Sequence, residues 1–347
     1  MISRDNDERF MRAAFQDARK SLGLTSPNPA VGSVLVVGNR IVARGHHREA
    51  GLPHAEIECL RKFGRAIPPG ATLYVTLEPC STVGRTGRCT DEIIKSGIKR
   101  VVIGTIDVNP RHSGRGIELL RKAGIEVRVG VLADECSVLN EAFNKWIVTG
   151  KPFVIAKCGM TLDGRLTCRE PEKRWITSSA ARRHGRQLRA QVDAILIGAK
   201  TLRTDNPKLT VRNGRQGKQP LRVVLTRSGK LPRGANLFTD RFADKTLIYR
   251  NRQLDFVLRD LGKKGITSVL IEGGGNVLGQ ALDQKKIDKI QIYIGPKLSG
   301  GPVIAFGGRG AKATRGAAHL QHVRYQRIGQ DICVTGYPQH GLPAETE

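Results

Sequence analysis

Four residues in the first third of the chain have the types and the order of a hydrolytic zinc site. His54 and Glu56 open a run that is predicted to be helical, and Cys80 follows a predicted buried strand, with Cys89 after eight further residues. Zinc prefers histidine and cysteine ligands, and a catalytic zinc keeps three protein ligands and one open position. His54, Cys80 and Cys89 are therefore the candidate metal ligands.

Glu56 is the candidate catalytic residue because it is close to His54 and need not bind the metal. Zinc lowers the pKa of bound water toward 7, and a nearby carboxylate can shuttle its proton. The pattern His-x-Glu, Pro-Cys and a later Cys is the signature of zinc nucleobase deaminases, which place two residues between the cysteines rather than eight. Taken singly, each residue could instead cap a helix or pack in a core. His46 and His47 are weaker candidates, because loop histidines are more often exposed.

Strands and helices alternate on both sides of these residues. The first half predicts these elements: a helix over 5–22, a hairpin around Gly38-Asn39, a helix from His54, strands over 71–77, 100–106 and 125–131 with helices between them, and a helix over 134–148. The alternation predicts an α/β sandwich with a largely parallel sheet.

A second α/β series follows the segment 148–153, which is predicted to be a domain junction. We therefore expect domains over 1–149 and 150–337 and a disordered tail over 338–347. In the second domain, IEGGGNVLGQAL (271–282) predicts a strand, a glycine turn and a helix. Such a turn lets backbone N–H groups approach a phosphate. It lacks the G-x-G-x-x-G fingerprint, so alone it indicates a nucleotide site only weakly.

Composition narrows the class of protein. The 347 residues are 39% hydrophobic and 26% charged, as in soluble globular proteins, and no apolar run could span a bilayer. The charged N-terminus has no signal-peptide core, so we expect a cytoplasmic location and no membrane partner. Seven scattered cysteines indicate reduced thiols rather than a disulfide framework.

The net charge of +27 is concentrated in residues 151–347, which carry +21 of it. Such charge suits a phosphorylated small molecule or nucleic acid, although a solvated basic surface would explain it equally well. Aromatic residues make up only 5% of the chain, which leaves little material for stacking bases.

The segments TSPNPAVGSVLV, HAE, GATLYVTLEPC, GRTGRC and DVNPRHSGRG resemble the deaminase half of the bifunctional riboflavin-biosynthesis deaminase–reductase family. That half has a cytidine-deaminase-like fold, and the family shows the eight-residue cysteine spacing. The resemblance implies zinc ligands at His54, Cys80 and Cys89, a proton shuttle at Glu56 and a substrate contact at Asn28. Where the family usually has Pro-Pro before the last cysteine, this chain has Gly87-Arg88, which leaves the ligands intact.

The segments MTLDGR, RWITSS and LRAQVDAILIGAKTLRTDNPKLTVR, with the glycine turn, resemble the reductase half of the same family, whose fold is like dihydrofolate reductase. The resemblance implies NADPH contacts at Gly159, Trp175, Thr201, Asp205, Gly274, Gly275, Asn276 and Gly279. It implies substrate contacts at Lys173, Arg189, Leu209, Arg212 and Glu272.

The chemistry of these residue types is consistent with the implied roles. Arg189 and Arg212 can clamp a phosphate, and Trp175 offers a flat face to a ring. Asp205 and Glu272 can bind hydroxyls or position the proton that accompanies hydride transfer. Two departures are that Lys173 stands where the family has a serine, and that Asn206 replaces the second acid of an Asp-Asp-Pro sequence.

The resemblance implies a fold of two α/β domains, with one zinc ion in the deaminase and NADPH in the reductase. It implies deamination of 2,5-diamino-6-(5-phosphoribosylamino)pyrimidin-4(3H)-one to 5-amino-6-(5-phosphoribosylamino)uracil, followed by reduction of the ribosyl chain to ribityl. The alternatives are a nucleic-acid deaminase with a basic second domain and a protein that has lost one activity. The expected partner is a phosphorylated pyrimidine rather than nucleic acid, and the sequence leaves open whether the chain forms a homo-oligomer.

Overall fold

The computed structural model describes residues 4–82, 87–166, 175–212 and 218–339. The chain divides into two compact units, Met1–Gly150 and Lys151–Glu347, and the division lies within the segment 148–153 that was predicted to be the junction. Each unit has its own hydrophobic core. Among the described residues, no helix has the length and apolar character needed to cross a bilayer.

The first unit is an α/β unit built on a five-stranded sheet. Its elements are α1 (Arg4–Arg19), β1 (Gly32–Val37), β2 (Arg40–His46), α2 (Ala55–Phe63), β3 (Thr72–Leu77), α3 (Cys89–Lys95), β4 (Arg100–Thr105), α4 (Arg115–Lys122), β5 (Glu126–Val129), α5 (Ala133–Leu139) and α6 (Glu141–Thr149). The sheet has the order β2-β1-β3-β4-β5. The strands β3, β4 and β5 are parallel, whereas β1 is antiparallel to both of its neighbours, β2 and β3.

A close approach between β2 and α2 sets the position of the candidate metal site. A Cβ atom on Gly45 would lie 2.2 Å from the carbonyl oxygen of Ala55 and 2.5 Å from the amide nitrogen of Cys59. Only glycine therefore lets the first turn of α2 pack this closely on the sheet. That turn carries Glu56 and follows His54 directly.

The prediction of a single helix over 134–148 is wrong, because the chain forms two helices, α5 and α6, that are separated at Asn140. Its φ and ψ of −110° and 21° are not helical. The Asn140 side chain accepts a hydrogen bond from the amide of Ala30 at 2.8 Å and donates one to the carbonyl of Ala30 at 3.0 Å. This long-range pairing with the turn before β1 fixes the break.

The second unit is an α/β unit built on an eight-stranded sheet. Its elements are β6 (Phe153–Thr161), α7 (Ser179–Gln187), β7 (Ala194–Gly198), α8 (Ala199–Asp205), β8 (Leu221–Thr226), α9 (Asn236–Thr239), β9 (Thr246–Arg250), α10 (Leu254–Lys263), β10 (Ser268–Ile271), α11 (Gly275–Asp283), β11 (Lys289–Gly295), β12 (His319–Ile328) and β13 (Asp331–Gln339). The sheet order is β12-β13-β11-β6-β10-β7-β8-β9, parallel from β11 to β9 and antiparallel at β12 and β13.

The predicted tail begins too early. Pro338 pairs with Leu320 and Gln339 with His319 across β12 and β13, so both residues belong to the sheet. A neighbouring strand therefore holds in place two residues that the sequence pattern assigned to the tail. Residues 340–347 lie outside the described part of the chain.

Candidate functional site

The three candidate metal ligands converge in the first unit. His54 is the N-cap of α2, Cys89 is the first residue of α3, and Cys80 lies between β3 and α3. The Nδ1 atom of His54 is 3.2 Å from the Sγ of Cys89 and 3.5 Å from the Sγ of Cys80. The three donor atoms all lie within 4.8 Å of one another. One imidazole nitrogen and two sulfurs fit a catalytic zinc that keeps an open coordination position.

Negative charge in the cluster is favoured on the sulfur of Cys80 rather than on that of Cys89. The amide of Cys89 donates to the Sγ of Cys80 at 3.3 Å. Hydrogen bonding from the Cys89 thiol, and also from His54, lowers the pKa of Cys80, whereas its hydrogen bond to Cys80 and its burial raise the pKa of Cys89. The site therefore favours a thiolate before any cation is present, as a metal site requires.

Glu56 lies in the first turn of α2 and is only 3% exposed. Burial raises the pKa of its carboxyl to about 7, and the neighbouring His54 opposes that rise. A carboxyl that is close to half-protonated near neutral pH can both accept and donate a proton. Glu56 is not one of the three converging ligands.

A cavity of about 290 Å³ opens onto this cluster. Its lining combines polar groups with an apolar wall from α6: Pro27, Asn28, Pro29, Val31, His47, His54, Glu56, Leu77, Glu78, Cys80, Asp107, Asn109, His112, Phe143, Trp146 and Ile147. The volume is near the lower limit of the range for small-molecule sites. Such a mixed lining suits a flat polar heterocycle.

His47 belongs to this cavity, and the expectation that it is exposed is wrong, since it is only 2% exposed. Its Nδ1–H donates to the carbonyl of Pro53 at 3.1 Å, which leaves Nε2 to accept from the Asn28 amide at 3.2 Å. The amide of His47 also bonds the carbonyl of Val31 at 2.9 Å. The β1–β2 ladder therefore extends one residue beyond β2, and this extension directs His47 inward.

Two further residues shape the cavity and were not predicted. The carboxylate of Glu78 accepts backbone N–H groups from Asp107, Gly114 and Gly116 at 2.8 to 3.2 Å, which ties the segment 107–116 to the end of β3. His112 in that segment lies 3.4 Å from the Ser81 amide and hydroxyl and 3.4 Å from the Thr82 hydroxyl. Their partners lie 29 to 38 positions away along the chain, so no local pattern could indicate them.

The second unit places Arg189 and Glu272 in direct contact. Arg189 donates from Nε and Nη2 to the two carboxylate oxygens of Glu272 at 2.8 and 2.9 Å, and from Nη1 to the carbonyl of Thr210 at 3.3 Å. Lys157 is 3.7 Å from the same carboxylate. Burial raises the pKa of Glu272, but Lys157 and Arg189 outweigh burial and lower it to about 2. The positive charge of Arg189 is thus paired before any phosphate binds.

The glycine turn has a packing role that the sequence pattern did not indicate. A Cβ atom on Gly275 would lie 2.0 Å from the carbonyl oxygen of Ile304, and one on Gly279 would lie 2.0 Å from that of Gly307. Gly274 is the N-cap of α11, and its amide donates to the Thr201 hydroxyl at 3.0 Å. The turn therefore brings α8 and α11 together at the predicted nucleotide site.

The other predicted reductase residues differ in exposure. Trp175 is 63% exposed, with the Arg182 guanidinium 4.4 Å above its ring. Leu209 is 2% exposed at a φ of +52°, so only its backbone could meet a substrate. Asp205, Arg212 and Asn276 are exposed, and Gly159 is half-buried. Lys173 lies outside the described residues.

Comparison with known proteins decides the family. The model of the RibD C-terminal domain matches residues 152–334, and that of the cytidine and deoxycytidylate deaminase zinc-binding region matches residues 4–105. The riboflavin biosynthesis protein RibD of Synechocystis is 40% identical over 96% of both chains. The chain belongs to the RibD family. The RibD of Escherichia coli is 36% identical over 94% of this chain and 98% of its own.

Solved RibD structures agree with this assignment. Acinetobacter baumannii RibD is 34% identical with a TM-score of 0.87, over 97% of this chain and 100% of that one. A second structure, from Thermotoga maritima, is a diaminohydroxyphosphoribosylaminopyrimidine deaminase/5-amino-6-(5-phosphoribosylamino)uracil reductase. It is 35% identical with a TM-score of 0.87, over 97% of this chain and 99% of that one.

The predicted family, fold class and enzyme class are confirmed. The chain is a bifunctional deaminase and reductase of riboflavin biosynthesis, with a zinc-binding deaminase domain and a RibD reductase domain that uses NADPH. The nucleic-acid deaminase alternative is not favoured, because the basic second half matches the RibD reductase domain.

Proposed function

We propose that residues 1–149 deaminate 2,5-diamino-6-(5-phosphoribosylamino)pyrimidin-4(3H)-one and that the domain from residue 150 onward reduces the ribosyl chain of the product with NADPH. The deaminase assignment rests on one observation: His54, Cys80 and Cys89 converge beside a buried Glu56 at one cavity. The name of the Thermotoga maritima relative, which shares both halves, supports the substrates.

In the deaminase, we assign His54, Cys80 and Cys89 as zinc ligands. Zinc, when bound, lowers the pKa of water toward neutrality. Glu56 then takes a proton from the attacking water and delivers it to the departing ammonia, for which a pKa near 7 is well matched. We assign Asn28, whose amide donates to His47 at the same cavity, to orient the pyrimidine ring.

In the reductase, we assign NADPH to the region around Gly159, Thr201, Asp205 and α11, with Trp175 beside it. The glycine turn supports this assignment because it presents a helix N-terminus with no side-chain cap. Arg189 and Glu272, with the segment 209–212, form the substrate side. Glu272 stays ionised above its pKa of about 2, so it can accept hydrogen bonds from ribose hydroxyls.

A coupled assay tests both activities in the intact chain. NADPH absorbance is followed with the diaminopyrimidinone and, separately, with the deaminated uracil, each with and without a zinc chelator. We expect the chelator to stop NADPH oxidation with the first substrate and to leave it unchanged with the second. Loss of both reactions would contradict two separate sites. The cytoplasmic location and any homo-oligomer stay predictions.

A further inference from the structure

The apolar wall of the deaminase cavity comes from one face of α6. Phe143, Trp146 and Ile147 all line the cavity, and their i, i+3, i+4 spacing places them on the same side of that helix. Neither the proposed zinc ligands nor the proton transfer assigned to Glu56 uses this wall. It is therefore available to a part of the substrate other than the amine that is removed.

Asn140 ties this wall to the polar side of the cavity. It is the N-cap of α6 and is only 4% exposed. Its side chain accepts from the amide of Ala30 at 2.8 Å and donates to the carbonyl of the same residue at 3.0 Å. Ala30 lies two residues after Asn28, whose side chain bonds His47 at 3.2 Å. The beginning of α6, Asn28 and His47 therefore belong to one hydrogen-bonded frame.

A pyrimidine ring needs two kinds of contact. Its polar groups form hydrogen bonds in the plane of the ring, and the cavity offers Asn28, Asp107 and Asn109 for these. The two faces of the ring instead gain stability from aromatic or apolar side chains that lie flat against them. Among the described residues that line the cavity, the large aromatic side chains are Phe143 and Trp146.

These two side chains differ in the surface that they leave for a ligand. Phe143 is 8% exposed, so most of its ring is packed inside the first unit. Trp146 is half-buried and lines the cavity, so part of it stays accessible there. The indole also offers the larger flat face of the two.

We propose that the indole of Trp146 stacks on the pyrimidine ring of the deaminase substrate, and that Asn140 positions the helix that carries it. The polar groups of the cavity then hold the edge of the ring, and α6 holds its face. This assignment rests on the proposed function of the first domain and adds a substrate-binding residue to it.

Fluorescence tests the contact directly. The chain contains two tryptophans, Trp146 and Trp175, so Trp175→Phe leaves Trp146 as the single indole. In full-length, zinc-loaded protein that carries Trp175→Phe and Glu56→Gln, we expect the diaminopyrimidinone to quench Trp146 along a saturable curve. Ribose 5-phosphate, which lacks the ring, should leave the emission unchanged. Free N-acetyltryptophanamide corrects for light that the pyrimidine absorbs.

Kinetics measure what the contact contributes. For Trp146→Leu we expect KM for deamination to rise about tenfold, as for the loss of one stacked base, with kcat nearly unchanged. Trp146→Phe keeps an aromatic face and should recover most of the affinity. Val148→Ala is the control and should behave as wild type, because Val148 is 58% exposed on the same helix and is not among the residues that line the cavity. Metal analysis checks that each variant binds zinc in the wild-type ratio.

Three results would overturn the assignment. These are a wild-type KM in zinc-loaded Trp146→Leu, an equal rise in KM for Trp146→Leu and Trp146→Phe, and unchanged Trp146 emission at substrate concentrations well above the wild-type KM. The fluorescence result decides the matter if Trp146→Leu does not fold, because that measurement leaves Trp146 in place. If the wild-type chain releases no ammonia from the diaminopyrimidinone, the proposed deaminase function fails instead.

Discussion

Glu56 is the single carboxyl to which we assign proton transfer in the deaminase. It is buried beside His54 without joining the metal ligands, and burial raises its pKa to about 7. We expect Glu56→Gln to bind zinc in the wild-type ratio and to lose about 10²- to 10⁴-fold in deamination rate, because an amide cannot transfer the proton. Ammonia release measures the loss, and metal analysis measures the zinc.

The matched control for this change is Glu49→Gln, which removes an exposed carboxyl from the same unit and should deaminate normally. NADPH-dependent reduction of the deaminated substrate should be equal in all three proteins. A folded, zinc-loaded Glu56→Gln protein that still deaminates at the wild-type rate would show that another group moves the proton.

Glu272 ties the stability of the second unit to pH. Its pKa falls from 4.5 to about 2 on folding because the attraction of Lys157 and Arg189 exceeds the cost of burial. The unfolded chain therefore binds this proton more tightly than the folded one. The carboxylate stabilises the fold fully above pH 4.5, and this contribution is lost as the pH falls toward 2.

We therefore expect Glu272→Gln to lower the free energy of unfolding by roughly 3 kcal/mol at pH 7, because it leaves Arg189 and Lys157 without their partner. Urea unfolding at a series of pH values should show this gap narrowing below pH 4.5. Asp244→Asn removes an exposed carboxyl and should stay within about 0.5 kcal/mol of wild type at each pH. A gap of constant size would mean that Glu272 is not held ionised by its neighbours.

At the scale of elements, the contact between β2 and α2 sets the position of His54 in the proposed metal site. In Gly45→Ala the new methyl group would overlap the carbonyl of Ala55 at 2.2 Å, so α2 must shift away from the sheet. We expect a loss of about 1 to 3 kcal/mol in the stability of the first unit and weaker zinc binding, because His54 moves with the helix. Thermal unfolding and zinc titration measure these two effects.

Gly38→Asn is the control, because Gly38 lies in the β1–β2 hairpin at a φ of +59° with open space around it, a conformation that asparagine tolerates. Reduction of the deaminated substrate should survive in both variants. Wild-type zinc affinity in Gly45→Ala would show that α2 position is set elsewhere.

Elements could be predicted from the sequence where apolar residues mark a buried face, and they were missed where no such pattern exists. The hairpin of β1 and β2 and the buried strand β3 were predicted because apolar residues mark them. The strand β12 was not, because it lies at the edge of its sheet and most of its side chains are exposed. The alternation of apolar and polar residues in HLQHVRYQRI breaks at 321–322 and again at 326–327, which leaves too short a pattern to predict its pairing with β13.

The same limit applies to the sites. The three proposed zinc ligands and Glu56 stand at the ends of predicted elements within forty residues, so their order alone indicated zinc chemistry. The pairing of Arg189 with Glu272 joins residues 83 positions apart and was not predicted. The inward orientation of His47 depends on one extra rung of a sheet ladder. Contacts between residues that are distant in the sequence leave no local sequence pattern from which they could be predicted.

At the scale of the whole molecule, the two units should unfold separately. The core clusters of the first unit join residues between Phe10 and Cys136, and the main cluster of the second joins residues between Val154 and Ala305. A ligand stabilises only the unit that binds it, by an amount set by its concentration relative to Kd. Zinc should therefore stabilise the first unit, and NADPH the second.

We expect calorimetry of the zinc-loaded chain to show two transitions. A chelator should lower one of them by roughly 10 °C, the shift for a unit of this size that loses a metal present at about a thousand times its Kd. NADPH should raise the other transition and leave the first unchanged. In Cys89→Ser, which lacks one ligand, the chelator should have little effect because zinc is already weakly held. A single transition that responds to both ligands would mean that the units unfold together, and the deaminase and reductase would then share one stability.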